Sequence, residues 1–119
     1  MNGIKFLLDT NIVITMVRQD EMTLDLLQTK QVRLNECAYS AVTRMELLSF
    51  AAMPLNDKET IELLLNRMTY LSITKDIENA TIEFRRLHKT KLPDSIIAAT
   101  ARHYQLELLT FDKKLASKL

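Results

Sequence analysis

Ile4-Lys5-Phe6-Leu7-Leu8-Asp9-Thr10-Asn11 sets an apolar run directly before a carboxylate, and a second apolar run, Ile12-Val13-Ile14, follows it. An apolar run without clean alternation suits a strand covered on both faces, as in a parallel sheet with helices above and below. Asp9 then falls at the strand's carboxyl end, where open α/β sheets place their ligands. An aspartate there also opens turns and caps helices, so its meaning depends on what else reaches that edge.

Working outward, Ile12 to about Leu27 has helical apolar spacing broken at Arg18–Glu21, which predicts two short helices or one interrupted helix. Gln31–Tyr39 predicts a second strand, with Val32, Leu34, Cys37 and Tyr39 turned inward. Ser40 is placed to cap a helix with the stripe Ala41, Met45, Leu48 and Ala52, widened by Leu47 and Phe50 and stopped by Pro54. Asn56 and Glu59 have the spacing of a capping box for a helix through Ile61, Leu64, Leu65 and Met68. Tyr70–Ile73 predicts a third strand, and Thr74 a cap for a helix burying Ile77, Ala80, Thr81, Phe84 and Leu87. Pro93 marks the start of a helix so rich in small and apolar residues (Ile96 to Ala101) that it must be buried at close range. Leu106–Phe111 is the fourth strand, and Lys113–Leu119 a short basic helix. Strands separated by helices imply right-handed crossovers. The expected fold class is α/β: a three-layer sandwich, with a mainly parallel sheet of about four strands and helices on both faces.

Length and composition narrow the function classes. The 119 residues suit one domain over 1–119, and 47% apolar content is ordinary for a globular chain. With Cys37 alone no internal disulfide can form, and no stretch reaches membrane-spanning length, so a cytoplasmic setting is expected. The net charge of +1 is unevenly spread: residues 1–84 hold 8 Lys/Arg against 12 Asp/Glu, and residues 85–119 hold 8 against 3. A basic segment in a nearly neutral chain points to a phosphate-bearing partner.

Four carboxylates are expected to share the edge that Asp9 occupies, although each also has a separate plain reading: Asp9 as a turn residue, Asp94 and Asp112 as caps, Glu46 as a surface group. Asp9 and Asp112 each follow an apolar strand, Asp94 opens the helix ahead of the last strand, and Glu46 lies in the helix after the second. Such a cluster persists only with a cation among its members or with protons taken up. An all-oxygen site selects Mg2+ or Mn2+ over zinc. Zinc is disfavoured further because only His88 and His103 are available, the first a surface residue and the second on a helix face, while Cys37 lies within a strand. Ser95 and Thr10 lack a neighbouring base, which argues against a serine hydrolase.

Leu8-Asp9-Thr10-Asn11, Ser40-Ala41-Val42-Thr43-Arg44-Met45-Glu46-Leu47, Leu92-Pro93-Asp94-Ser95-Ile96-Ile97-Ala98-Ala99-Thr100-Ala101 and Leu109-Thr110-Phe111-Asp112 resemble, in order and spacing, the motifs of a PIN domain. More narrowly they resemble the VapC-type toxins of bacterial toxin–antitoxin pairs. The resemblance implies a metal-dependent endoribonuclease whose acidic site is Asp9, Glu46, Asp94 and Asp112, with Mg2+ (or Mn2+) as cofactor. Asn11 and Thr110 match supporting polar positions, and Thr10, Ser40 and Thr43 lie within the same motifs. It also implies a homodimer, and inhibition by a small antitoxin that lays its C-terminal segment over the site. Family members usually continue into another short strand, so the sheet edge here is expected to be left to the C-terminal helix or to a partner.

The expected substrate is single-stranded or loop RNA, tRNA among the candidates. Arg85, Arg86, Lys89, Lys91, Lys113 and Lys114 are the candidate RNA contacts. With three Tyr and four Phe, most at core positions, base stacking is expected to contribute little. The alternatives are a non-catalytic RNA-binding or antitoxin-binding module, which should have lost an acidic ligand, and another Mg2+-dependent phosphohydrolase. The second would want an aspartate where Asn11 stands.

Overall fold

The computed structural model describes residues 3–50 and 52–119. Its elements run β1 (Phe6–Leu8), α1 (Thr10–Val17), α2 (Glu21–Thr29), β2 (Cys37–Ser40), α3 (Ala41–Leu48), α4 (Leu55–Asn66), β3 (Thr69–Leu71), α5 (Lys75–His88), α6 (Leu92–His103), β4 (Glu107–Leu109) and α7 (Lys113–Ala116). This is the expected alternation of strands and helix pairs. All three strand pairings are parallel, in the order β3-β2-β1-β4. The strand carrying Asp9 is therefore interior, with Leu7 opposite Ala38 on one side and Leu108 on the other.

Alternation along the strands sends side chains to two layers. Phe6, Leu8, Cys37, Tyr39 and Leu109 face a layer built from α1, α3 and α4, where Ile12, Val13, Leu47, Ile61 and Leu65 complete the larger core. Leu7, Ala38 and Leu71 face the other way, onto Val42 and onto Ile97 and Ala101 of α6. The small residues of α6 let α5 close on it from outside, where Phe84, Ala98 and Leu115 of α7 meet. β1 is buried along its whole length, as a strand covered on both faces must be.

The structure corrects several local expectations. The second strand begins at Cys37 and not at Gln31: Gln31 takes a left-handed φ of 54°, and Leu34–Glu36 form a 3-10 turn. Val32 and Leu34 still pack against the core, so their apolar character reflects burial without strand pairing. α3 stops at Leu48, short of Pro54, with Ser49 as its C-cap and the Ser49 hydroxyl donating to the Met45 carbonyl. Ala52 thus lies outside it. The capping box at Asn56 and Glu59 does not form. Pro54, with φ fixed near the helical value, is itself the N-cap of α4, and Asn56 lies inside the first turn. The third strand is shifted to Thr69–Leu71. In α5, Ile77, Thr81 and Phe84 are buried as expected, but Leu87 is 74% exposed. Caps at Ser40 and Thr74 do form, each hydroxyl oxygen accepting the amide three residues on.

Candidate active site

The carboxyl ends of β1 and β4 and the N-termini of α1, α6 and α7 meet at one edge of the sheet. Asp9 ends the strand and caps α1, its Oδ1 accepting the Thr10 amide at 2.7 Å. Its Oδ2 accepts the Thr110 hydroxyl at 2.7 Å, while Thr110 Oγ1 in turn accepts the Asp112 amide at 3.0 Å. Asp112 Oδ1 caps α7 through the Leu115 amide, leaving the other oxygen for a further partner. Each of these aspartates thus caps a helix and is also presented at the shared edge.

Glu46 is oriented by a hydroxyl relay. Thr10 Oγ1 lies 2.7 Å from Glu46 Oε1 and 3.0 Å from Thr43 Oγ1. Thr10 has one proton, which the carboxylate takes, so the Thr43 hydroxyl donates to Thr10. Thr43 is fully buried and held by the Ser40 cap, so the relay has a rigid base.

Asp9, Glu46, Asp94 and Asp112 line one cleft of about 620 Å3 together with Thr10, Asn11, Lys91 and Arg18. Ser40, Thr43 and Thr110 stand behind its wall as supports. A larger groove of about 770 Å3 lies at the opposite end of the sheet, but its Lys5 is already paired with Glu36 and its Lys30 with Glu107.

Four carboxylates against two cations leave the cleft with an excess of negative charge. Asp9 is 8% exposed, and its pKa is raised, first by burial and then by the charges of Asp94 and Glu46, against the lowering effect of its bonds from Thr110 and the Thr10 amide. The four carboxylates are hard oxygen donors that fit a divalent cation, and no His or Cys is among the lining residues. Among the described residues, however, no three acidic, His or Cys side chains are gathered tightly enough to grip an ion by themselves. The expected compact cluster is in this form an open one.

Of the expected RNA contacts only Lys91 lines the cleft. Arg85, Arg86, Lys89, Lys113 and Lys114 are exposed outside it, and Arg85 Nε donates to the Thr90 carbonyl at 3.1 Å, bracing the turn into α6. His88 lies against Phe84 and His103 against Tyr104, both away from the carboxylates. Two cleft residues were missed by sequence reasoning. Arg18 looked like a mere break between helices, although its spacing of i+7 from Asn11 already put both on one face. Phe50 was assigned to a core stripe and stands 59% exposed in the cleft wall. Tyr70 and Phe111 are also exposed, so the aromatic side chains are less buried than expected.

The family model described as PIN domain matches residues 6–118. The chain belongs to the PIN-domain family. Solved structures place this PIN domain among similar folds. A chain of a toxin–antitoxin complex from Klebsiella pneumoniae is 29% identical, with a TM-score of 0.80 over 94% of this chain and 91% of that one. FitAcB from Neisseria gonorrhoeae gives 22% identity and a TM-score of 0.78 over 95% and 91%. VapBC2 from Rickettsia felis, bound to a fragment of promoter DNA, gives 18% and 0.73 over 96% and 92%. Comparison with curated protein sequences returned no match. Among the described residues no helix is long and apolar enough to cross a membrane.

Proposed function

We propose that this PIN domain is a divalent-metal-dependent endoribonuclease, the toxin of a toxin–antitoxin pair. The observation that carries this reading is the convergence of Asp9, Glu46, Asp94 and Asp112 on one cleft whose lining includes no His or Cys. Support for the partner comes from similar folds solved as toxin–antitoxin complexes, one of them 29% identical.

Asp9, Asp94 and Asp112 would hold the ion, directly or through water, with Glu46 beside it. The cation, Mg2+ or Mn2+, supplies a lowered water pKa and a counter-charge for the phosphodiester oxygens. The chain supplies position. Thr110 and the Thr10 amide fix both oxygens of Asp9, so that the carboxylate cannot turn away when the cleft fills. Thr10 holds one oxygen of Glu46, leaving the other to accept a proton from an attacking water. Lys91, three residues ahead of Asp94, is placed to meet a phosphate entering the cleft, with Arg86, Lys89, Lys113 and Lys114 as exposed charges further along the strand's path. No covalent nucleophile is required. An antitoxin segment bearing an arginine would occupy the same negative cleft and exclude the cation.

The test incubates total cellular RNA with wild type and with Asp94→Ala, with and without EDTA, and maps new 5′ ends. Cleavage by wild type that is lost in EDTA and in the variant is the expected result. Cleavage that persists in either refutes the mechanism, and no cleavage of any RNA by metal-loaded, partner-free protein favours the binding-module reading.

A further inference from the structure

The cleft extends past its carboxylates. Asn11, Ile14 and Arg18 follow one another at i, i+3 and i+7, so one face of α1 lines the cleft from the Asp9 end to the Arg18 end. At about 1.5 Å per residue, Arg18 stands roughly 13 Å along the helix axis from Asp9. On the facing wall, α3 carries Glu46 and ends at Leu48, and Phe50 comes one helical turn's length after the glutamate. Phe50 lies beside Ile14, Leu47 and Met53 at 59% exposure. The core beneath it is closed by Leu47 and its neighbours without help from this ring. Among the described residues the ion pairs are Lys5–Glu36 and Lys30–Glu107, so Arg18 is not committed to a carboxylate.

We propose that Phe50 is a stacking platform for an unpaired nucleobase next to the scissile phosphate, and that Arg18 holds a phosphate further along the same strand. The inference rests on the nuclease reading and adds what the strand meets beyond the acidic centre. An aromatic face binds any base whose own face is free, and a guanidinium takes phosphate oxygens two at a time. Cation, apolar ring and carboxylates in one groove thus match the repeating phosphate and base of a single strand. Bases stacked inside a duplex have no face to offer, so the platform excludes paired substrates.

The chain has no Trp, so Phe50→Trp supplies a single reporter at the platform. In an Asp94→Asn background, which keeps the strand whole, this variant is titrated in Mg2+ with a short oligoadenylate and with an abasic ribose-phosphate strand of equal length. The expected result is quenching by the oligoadenylate, none by the abasic strand, and none at a control Ile82→Trp on the exposed side of α5. Phe50→Ala should weaken oligoadenylate binding about 5- to 100-fold, in the range of a lost base stack. Arg18→Gln should reduce the steepness of log K against log salt by about 0.7, one phosphate contact on a single strand. Emission that does not move while RNA is bound, or undiminished binding by Phe50→Ala, overturns the inference. So does a loss confined to an arginine-bearing inhibitory peptide, which would give this wall to a protein partner. Wild-type RNA cleavage combined with unmoved emission removes the platform alone; no RNA binding at all removes both readings.

Discussion

Asp9 is the residue at which folding and the proposed function pull in different directions. Buried beside Asp94 and Glu46, its carboxyl group holds a proton more readily in the folded chain than in the unfolded one. Between the ordinary value near 3.8 and the raised folded value, the folded state binds more protons, so metal-free stability falls as pH rises through that window. Asp9→Asn removes this loss and keeps a good N-cap. Its metal-free melting midpoint at neutral pH should equal or exceed that of wild type, while RNA cleavage is abolished; a marked drop would make Asp9 a structural cap only. At Cys37 burial is again the leading cause. Its thiol is pushed up to about 12, first by burial and then by the Glu36 carboxylate. Thiol reagents at neutral pH should therefore label Cys37 no faster than the whole chain unfolds, and rapid native-state labelling would contradict that burial. Asp9 and Asp112 were legible in the sequence because a strand's end is a place that chain order alone identifies, and Glu46 and Asp94 because each lies in a helix that leads away from or into a strand. Arg18 and Phe50 were not, since each lies just past a helix, where the direction of a side chain depends on how the helix ends.

The elements themselves show which signals survive folding. Helix caps with a hydroxyl three residues ahead of an apolar turn, Ser40 and Thr74, appear where the sequence put them, because the bond they make is local. Thr74→Ala should accordingly cost about 1 kcal/mol in a denaturant melt. Alternation of apolar residues was a poorer guide. Val32 and Leu34 alternate as in a strand yet approach the core from a turn, because burial rewards the side chain whether or not the backbone joins a ladder. That α6 is buried at close range was readable from its run of small residues; that α5 covers it from outside was not. Ala98 is fully buried against Phe84 and Leu115, so Ala98→Leu should destabilise by about 1–3 kcal/mol through overpacking; an unchanged midpoint would mean that α5 or α7 moves aside at no cost.

At the scale of the whole molecule, the outer face of α4 leaves Leu55 and Leu63 exposed at 69% and 67%. We propose that this face is covered in a two-fold homodimer. Sedimentation should show a dimer at tens of micromolar, and Leu63→Lys should yield a monomer; a clean wild-type monomer would refute it. The sheet order has a further consequence, one of timing. Asp9 lies at the end of β1, near the start of the chain, yet its Oδ2 is held by Thr110, 101 residues later, and its amide by the Leu109 carbonyl. A ribosome making this protein must translate almost the whole of it before β4 can dock beside β1. Until then the nascent chain carries Asp9 and Glu46 without the wall that holds Asp94 and Asp112 against them. A chain broken off before Thr110 keeps Asp9, Glu46 and Asp94 but lacks Asp112 and the hydroxyl that holds Asp9, so a prematurely terminated product carries an incomplete acidic cleft.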